Sequence, residues 1–383
     1  MAGIKTKLSS LKISSSISRV GKIHKYVYIS GISLHGMIKA VSVAGLQSEG
    51  TPFKKPSVQL DEAAKTISVG NLTWIECVVD NILVETPKIL ENLGIMMDPD
   101  ILLSGYISSY EDRGDTLGIM IPFVVTANNK TQTSPLLIFM KKDLIVTIHD
   151  DYGGKITRLY NYSSTLLRKL PKDPEGWASR QTLLLARIID EISEANFSIL
   201  RLIVDRTEQL ELDLAGSRQI ERDLSVELSN MKTSLLMFLN AVWATYDTVH
   251  NLKYGDADMV SDDDAVLAKF EVILSRLDRQ IQMAENLMQM IATSINVIQT
   301  QVSNKLTILV VWFTVAGTAV LVPNTLATVF SIFPDHQANL SWMLPTIVIS
   351  TIASAFFAYR YTKRWRMKSF GMRKFKRLKK RFT

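Results

Sequence analysis

One cysteine, Cys77, in 383 residues excludes a disulfide framework, a cysteine-based zinc site and an intramolecular redox pair. Five histidines leave little material for a histidine-rich catalytic metal centre. No GxxxxGK[ST] phosphate loop occurs. No arrangement of Ser, His and acids identifies a nucleophile with its activating partners, so an enzyme is not the expectation. Acids are missing altogether from 363–383, which holds 11 of the 44 Lys and Arg residues. Without that tail, 33 basic residues face 37 acidic ones, so the formal charge of +7 becomes −4. The basic character belongs to a tail and does not imply a nucleic-acid-binding body.

Charge is also missing from two long apolar stretches. Between Lys305 and Asp335 lie 29 residues without a formal charge, and between Asp335 and Arg360 lie 24 more. Each exceeds the roughly 20 residues that a helix needs to cross a bilayer core. The break around Pro334, Asp335 and Asn339 is long enough for a turn and too short for a domain. Together the stretches read as a membrane hairpin; a pair of core helices in a soluble protein is the alternative.

The flanks set the expected orientation. Arg360, Lys363, Arg364 and Arg366 follow the second span, Lys305 precedes the first, and the connecting loop has no Lys or Arg. Charge asymmetry then puts both termini in the cytoplasm of a multi-pass cell-membrane protein. Trp342, Trp365, Tyr359 and Tyr361 suit interfacial belts, while Trp312 suits an interface or a helix contact. The tail serves as a topology anchor or attracts anionic membrane lipids. The first 20 residues are basic and Ser-rich with no continuous apolar core, unlike a signal peptide.

Upstream, 60–160 carries mixed signals. The segments 72–79, 136–140 and 144–148 read as strands, and Thr86-Pro87 as a helix start before 88–93. His149-Asp150-Asp151 reads as a strand exit or, alternatively, a metal cluster. From Trp177 the pattern is helical, with Pro174 and Glu175 at its start and no Gly or Pro over 177–215 and 217–254. Gly and Pro are missing again over 256–316, 61 residues that would make a helix about 90 Å long. That helix would enter the first span without a break. Asp256, Asp258, Asp262, Asp263 and Asp264 cluster at its beginning, where acids favour the helix dipole or bind a hydrated divalent cation across a subunit boundary.

The stretch 286–304 has no formal charge but many amides and hydroxyls. Asn286, Gln289, Thr293, Asn296, Thr300, Ser303 and Thr307 recur at alternating spacings of 3 and 4, which holds them on one helical face. The same spacing continues through Val310, Thr314, Gly317, Leu321 and Asn324. A helix bundle turns such a face inward, either to hydrogen-bond between helices or to line water. Neutral oxygens suit the hydration shell of an ion such as Mg2+, which loses its water reluctantly.

This order of parts resembles the CorA-type divalent-cation channel family over about 60–370. Phe139-Met140-Lys141-Lys142-Asp143-Leu144-Ile145-Val146-Thr147-Ile148-His149-Asp150 is similar to the family's strand pair, and Leu306-Thr307-Ile308 to the start of its first span. The family's outer marker, Gly-Met-Asn, stands here as Val322-Pro323-Asn324, so only the Asn carries over. The resemblance implies a funnel-shaped homopentamer with first spans around a pore. Asn324 would form an outer ring and Asn296 is a candidate inner one, with Val322 and Pro323 completing the mouth. It further implies cytoplasmic acids that bind regulatory metal, and Asp335 as an external cation-attracting carboxylate or a turn residue.

The resulting expectation is an α+β cytoplasmic domain with a long helical stalk and two C-terminal transmembrane helices. Its parts are an N-terminal extension, partly disordered (1–56), an α/β domain (57–172), cytoplasmic helices (173–255) and a stalk (256–305). The first span (306–333), outer loop (334–341), second span (342–361) and basic tail (362–383) follow. The expected function is channel-like divalent-cation transport, with Mg2+ uptake driven by the membrane potential and regulated by cytoplasmic metal. No resident cofactor and no nucleic-acid partner are expected. The alternatives are Zn2+, Co2+ or Ni2+ transport on the same scaffold, or a membrane-anchored coiled-coil protein without transport.

Overall fold

The computed structural model describes residues 37–67, 70–103, 110–127, 130–172, 176–216, 221–254, 257–331 and 336–369. The expectations for residues 1–36, Pro174, Glu175, Asp256, Asp335 and 370–383 lie outside them.

Seven strands form one sheet: β1 (Ile38–Gln47), β2 (Pro52–Lys55), β3 (Gly70–Val79), β4 (Tyr110–Asp112), β5 (Thr116–Ala127), β6 (Lys130–Lys141) and β7 (Leu144–His149). Their spatial order is β2-β1-β3-β7-β6-β5-β4. Only β3 and β7 pair in parallel; the other neighbours are antiparallel. The strand pair expected around Lys141 to Asp143 is the β6–β7 hairpin, turned by Asp143 in the left-handed region at φ 61°. Asp tolerates that conformation better than most residues.

The pleat divides the central strands between two cores. Leu136, Ile138 and Met140 of β6 face one layer, while Leu137 and Phe139 face the other. Strands buried on both faces are expected to be continuously apolar, as β7 is up to Thr147. One face is covered by α1 (Leu60–Ile67), α2 (Ile82–Asn92) and α3 (Pro99–Leu103). The other packs on α4 (Gly154–Asn161), α5 (Ser163–Leu167) and α6 (Trp177–Gly216), and continues into α7 (Glu221–Tyr254) and the long α8 (Asp264–Phe330). A final helix, α9 (His336–Ser369), returns beside α8.

Three boundaries differ from the sequence expectations. Strands β1 and β2 lie in the stretch assigned to the N-terminal extension, and β1 pairs with β3 to join the main sheet. Helix α2 begins at Ile82 and carries Pro87 inside it. The Asn81 side chain accepts from the Leu83 N–H, so a cap five residues upstream overrides the start signal at Thr86-Pro87. The long helix, expected from 256 and through a first span to 333, begins at Asp264, where Asp263 caps it, and runs through Pro323 to Phe330. Pro323 removes one i−4 hydrogen bond, and the turns on either side carry the helix across the gap.

At 1.5 Å per residue, the 67 residues of α8 span about 100 Å. Its first half buries Val266, Phe270, Ile273, Leu277, Ile281, Ala284, Leu287, Ile291, Ser294 and Ile298. This apolar seam repeats every three or four residues and packs against α6 and α7. Beyond Ile298, Pro323 is the only buried residue among those whose burial is described in α8. The apolar window there is 6% buried, and that of 342–360 is 0% buried. Core helices of a soluble protein would be mostly covered, so these are two candidate C-terminal membrane helices.

Candidate functional site

Opposite the buried seam of α8 runs the neutral polar face. Asn286, Gln289, Thr293, Asn296, Thr300, Ser303 and Thr307 are all exposed in the single chain, and so are Val310, Thr314, Gly317, Leu321 and Asn324. No member of this stripe packs into the protomer's own core. Over the 38 residue steps from Asn286 to Asn324 the stripe covers about 57 Å. At the end expected to be its mouth, Val322 is half-buried and Pro323 buried, which leaves Asn324 as the exposed group.

The hydroxyl groups on this face share one arrangement. Thr293 donates to the Gln289 carbonyl at 2.9 Å and Thr300 to the Asn296 carbonyl at 2.8 Å. Thr307 donates to the Ser303 carbonyl at 2.9 Å and Thr314 to the Val310 carbonyl at 2.8 Å. Each threonine thus spends its only proton on the helix backbone and keeps its oxygen lone pairs available. Oxygen acceptors suit the outward-pointing hydrogens of water around a cation. Gly317 leaves open space, with nothing within 4 Å of where a Cβ would stand. The face is therefore neutral, acceptor-rich and unobstructed.

At the lower end of α8 the acids play different parts. Asp263 is the helix N-cap, its side chain accepting from the Ala265 N–H at 2.9 Å. Asp264 occupies the first turn, and Asp258 and Asp262 are exposed. The segment carrying them is pinned to the start of α6: the Ser261 N–H donates to Thr182 Oγ1 at 2.9 Å and Gln181 Nε2 to the Met259 carbonyl at 2.6 Å. Among the described residues no three His, Cys, Asp or Glu side chains converge as a metal site. Within one protomer the acidic stretch is a capped helix entrance.

The His149-Asp150-Asp151 triplet disperses. His149 is 1% exposed, with Nδ1 2.7 Å from the Asp150 carbonyl and Nε2 3.2 Å from Glu76 Oε1. Asp150 caps the 3-10 turn Asp151–Gly153 through the Tyr152 N–H, and Asp151 pairs with Lys39. These residues close a strand exit. Burial pushes the Cys77 thiol far above its usual range, so it stands protonated in the core.

Sequence reasoning missed a buried polar layer that ties α8 to α6. Gln280 Nε2 donates to the Ser193 carbonyl at 2.6 Å, and Asn196 Nδ2 donates to Gln280 Oε1 at 3.3 Å. The signal was a glutamine on the apolar seam, one residue before Ile281. Trp342 and Tyr359, expected at interfacial belts, are exposed, as is Trp312, expected at an interface or a helix contact.

A family model described as "CorA-like Mg2+ transporter protein" matches residues 70–364. Among solved structures, the complete CorA magnesium transporter from Methanocaldococcus jannaschii is similar with a TM-score of 0.66 and 18% identity. The alignment covers 84% of this chain and 98% of that one. The full-length CmaX protein aligns at a TM-score of 0.60 and 14% identity, over 86% and 98% of the two chains. The ZntB cytoplasmic domain from Vibrio parahaemolyticus RIMD 2210633 aligns at 0.54 and 11% identity, over 70% and 100%. No curated protein sequence matches the chain.

Proposed function

The chain belongs to the CorA-like Mg2+ transporter family of metal-ion transporters, and on that premise we propose that it conducts a hydrated divalent cation along the polar face of α8. The observation that carries this reading is the unbroken exposure of that face from Asn286 to Asn324. A row of amides and of hydroxyl oxygens with lone pairs to spare, open on a lone protomer, gains nothing from hydrocarbon and finds partners in water. Several copies of α8 around one axis turn it towards water instead.

The spacing supports that assembly. A strict alternation of 3 and 4 repeats every 3.5 residues, whereas a straight α-helix repeats every 3.6. The stripe stays on a common axis when the helices wrap around one another with a left-handed twist. A homopentamer, as the family resemblance implies, supplies five such faces. Their rings would be Asn324 at the mouth, Leu321, Gly317, Thr314 and Val310 in the narrow part, and Thr307 to Asn286 below.

Neutral rings let a hydrated ion in without trapping it. Inward movement of charge +2 through 100 mV supplies roughly 4.6 kcal/mol, twice the value for one charge. The acids at the start of α8 would bind regulatory metal between subunits, as the family resemblance implies; among the described residues of one protomer no three such ligands converge. Mg2+ is the ion we propose. Transport of Zn2+, Co2+ or Ni2+ on the same scaffold is the second reading, since neutral oxygens do not by themselves select among divalent ions. Both termini lie in the cytoplasm in this scheme, with the 363–383 tail against the inner leaflet.

The test is ion flux into liposomes under matched Mg2+, Zn2+, Co2+ and Ni2+ gradients, with wild type and Asn324→Ala protein of the same oligomeric state. Mg2+ influx that changes in rate or selectivity on substitution is the expected result. No Mg2+ movement under any gradient rejects Mg2+ as substrate. No movement of any metal leaves a membrane-anchored helical assembly as the reading.

A further inference from the structure

A cavity of about 1000 Å3 opens where α4 and α5 meet α6 and the first turns of α8, before the polar stripe begins on that helix. That volume lies at the upper end of the usual small-molecule range, about 300–1,000 Å3. Its floor is apolar, built from the buried Leu159, Leu170, Ala186 and Ile273. Its rim is charged, with six cationic and three acidic side chains.

Two of the acids are already engaged. Arg187 binds Asp190 at 2.7 Å and Glu191 at 2.9 Å, and Arg276 pairs with Asp190 as well. Lys155, Arg158, Lys169 and Lys269 have no ion-pair partner among the described residues, and only Glu194 remains to offset them. These four cations come from three separate elements (α4, the segment after α5, and α8) and border one cavity. Tyr162, 62% exposed, adds an aromatic ring to the lining.

We infer that this cavity binds a soluble organic polyphosphate of the nucleoside triphosphate class. The unpaired cations suit a chain of phosphates, while the apolar floor and Tyr162 suit a base and sugar. Lipid headgroups are excluded by distance: from Ile273 to Lys305, α8 rises about 48 Å. The occupant would bridge the sheet unit, through α4 and α5, to the stalk helices α6 and α8. Any effect on ion conduction rests on the transport reading; binding does not.

The experiment is isothermal titration calorimetry on the full chain in detergent, at one fixed Mg2+ concentration. ATP, inorganic tripolyphosphate and inorganic phosphate are the titrants. Arg158→Gln and Lys269→Gln remove one exposed cation each, and Lys232→Gln, on the distant part of α7, is the control. The expected result is saturable ATP binding that weakens by roughly tenfold or more in each cavity variant and not in the control, as for loss of a charge-assisted hydrogen bond. Tripolyphosphate should bind more weakly than ATP, and phosphate more weakly still. Absence of saturable ATP binding overturns the site, as does binding indifferent to both cavity variants. Tripolyphosphate binding as tight as ATP overturns the nucleoside assignment. Circular dichroism establishes that the variants are folded. A protein that binds ATP but passes no metal would reject the transport reading alone.

Discussion

Asn196 of α6 and Gln280 of α8 are both buried and meet through an Nδ2–H···Oε1 hydrogen bond of 3.3 Å, 84 residues apart in sequence. Gln280 closes the layer by donating to the Ser193 carbonyl at 2.6 Å. Apolar seams tolerate sliding by a turn, because one aliphatic contact resembles the next. A polar layer does not, since a shift strands both amides away from water. The Asn196–Gln280 layer fixes the register between the sheet-bearing α6 and the helix that enters the membrane region.

Gln280→Leu should therefore cost about 1–3 kcal/mol of stability by leaving Asn196 buried without this partner. Thermal melting of the full chain measures the loss. Hydrogen exchange over 190–200 should accelerate in the variant, while exchange in β6 and β7 stays slow. Unchanged melting would mean that water replaces the amide and that the layer does not set the register.

Along the polar stripe, Thr314→Val keeps the side-chain shape and removes the oxygen. Metal flux through liposomes should fall severalfold, since an acceptor ring becomes apolar, and Thr314→Ser should restore most of it. The i−4 bond to the Val310 carbonyl is the reason that a hydroxyl at this position presents acceptor character rather than a loose proton. Equal flux in all three proteins would take Thr314 out of the pathway.

Much of this architecture is visible in the chain because it depends on short-range rules. The β6–β7 hairpin follows from two apolar runs around Lys141-Lys142-Asp143, and the stripe from the 3-and-4 spacing of Asn, Gln, Ser and Thr. What escaped depends on competition. At α2, Thr86-Pro87 is a sound local start signal, but Asn81 offers a side-chain cap and Ile82 a buried anchor one turn earlier. Strand β1 escaped because small residues, the half-buried Ala40 and Ser42 and the buried Ala44, separate its buried Val41 and Val43 into a weak pattern that pairing with β3 completes. The stripe's amides are readable, whereas the shared axis proposed for them would be set by contacts between copies, beyond the reach of a single-chain pattern.

Tyr160 links α4 to β1 through a 3.1 Å bond from its hydroxyl to the Val43 carbonyl, beside the edge of Trp74. Burial pushes its phenol up to about 12 from an ordinary value of 10.0. A raised phenol contributes stability that is full below pH 10.0 and disappears as pH rises through about 12, because only the unfolded chain ionises freely in that window. Tyr160→Phe should lose about 1 kcal/mol near neutral pH. Its stability deficit should shrink as chemical denaturation is repeated from pH 10 towards 12, since phenylalanine has no proton to lose. A deficit independent of pH would place the phenol in contact with water.

Gly153 and Gly154 are adjacent, and the structure assigns them opposite responses to the same substitution. Both have negative φ, −72° and −54°, so backbone strain does not distinguish them. Space does. A Cβ on Gly153 would stand 2.1 Å from His149 Nδ1 and 2.5 Å from its Cγ, whereas one on Gly154 meets nothing within 4 Å. The His149 ring does not yield easily, being buried and held between the Asp150 carbonyl and Glu76. Gly153→Ala must displace the ring, with an overpacking cost of about 1–3 kcal/mol. If the ring leaves Glu76 buried without its partner, a similar cost is added. Gly154→Ala, in the first turn of α4, should instead stabilise by about 0.4–1 kcal/mol, because alanine has less backbone freedom to lose on folding. Denaturant melts of the two variants beside wild type settle the matter: a fall for Gly153→Ala and a rise for Gly154→Ala support the tight seat of His149. Two small changes of the same sign would contradict it.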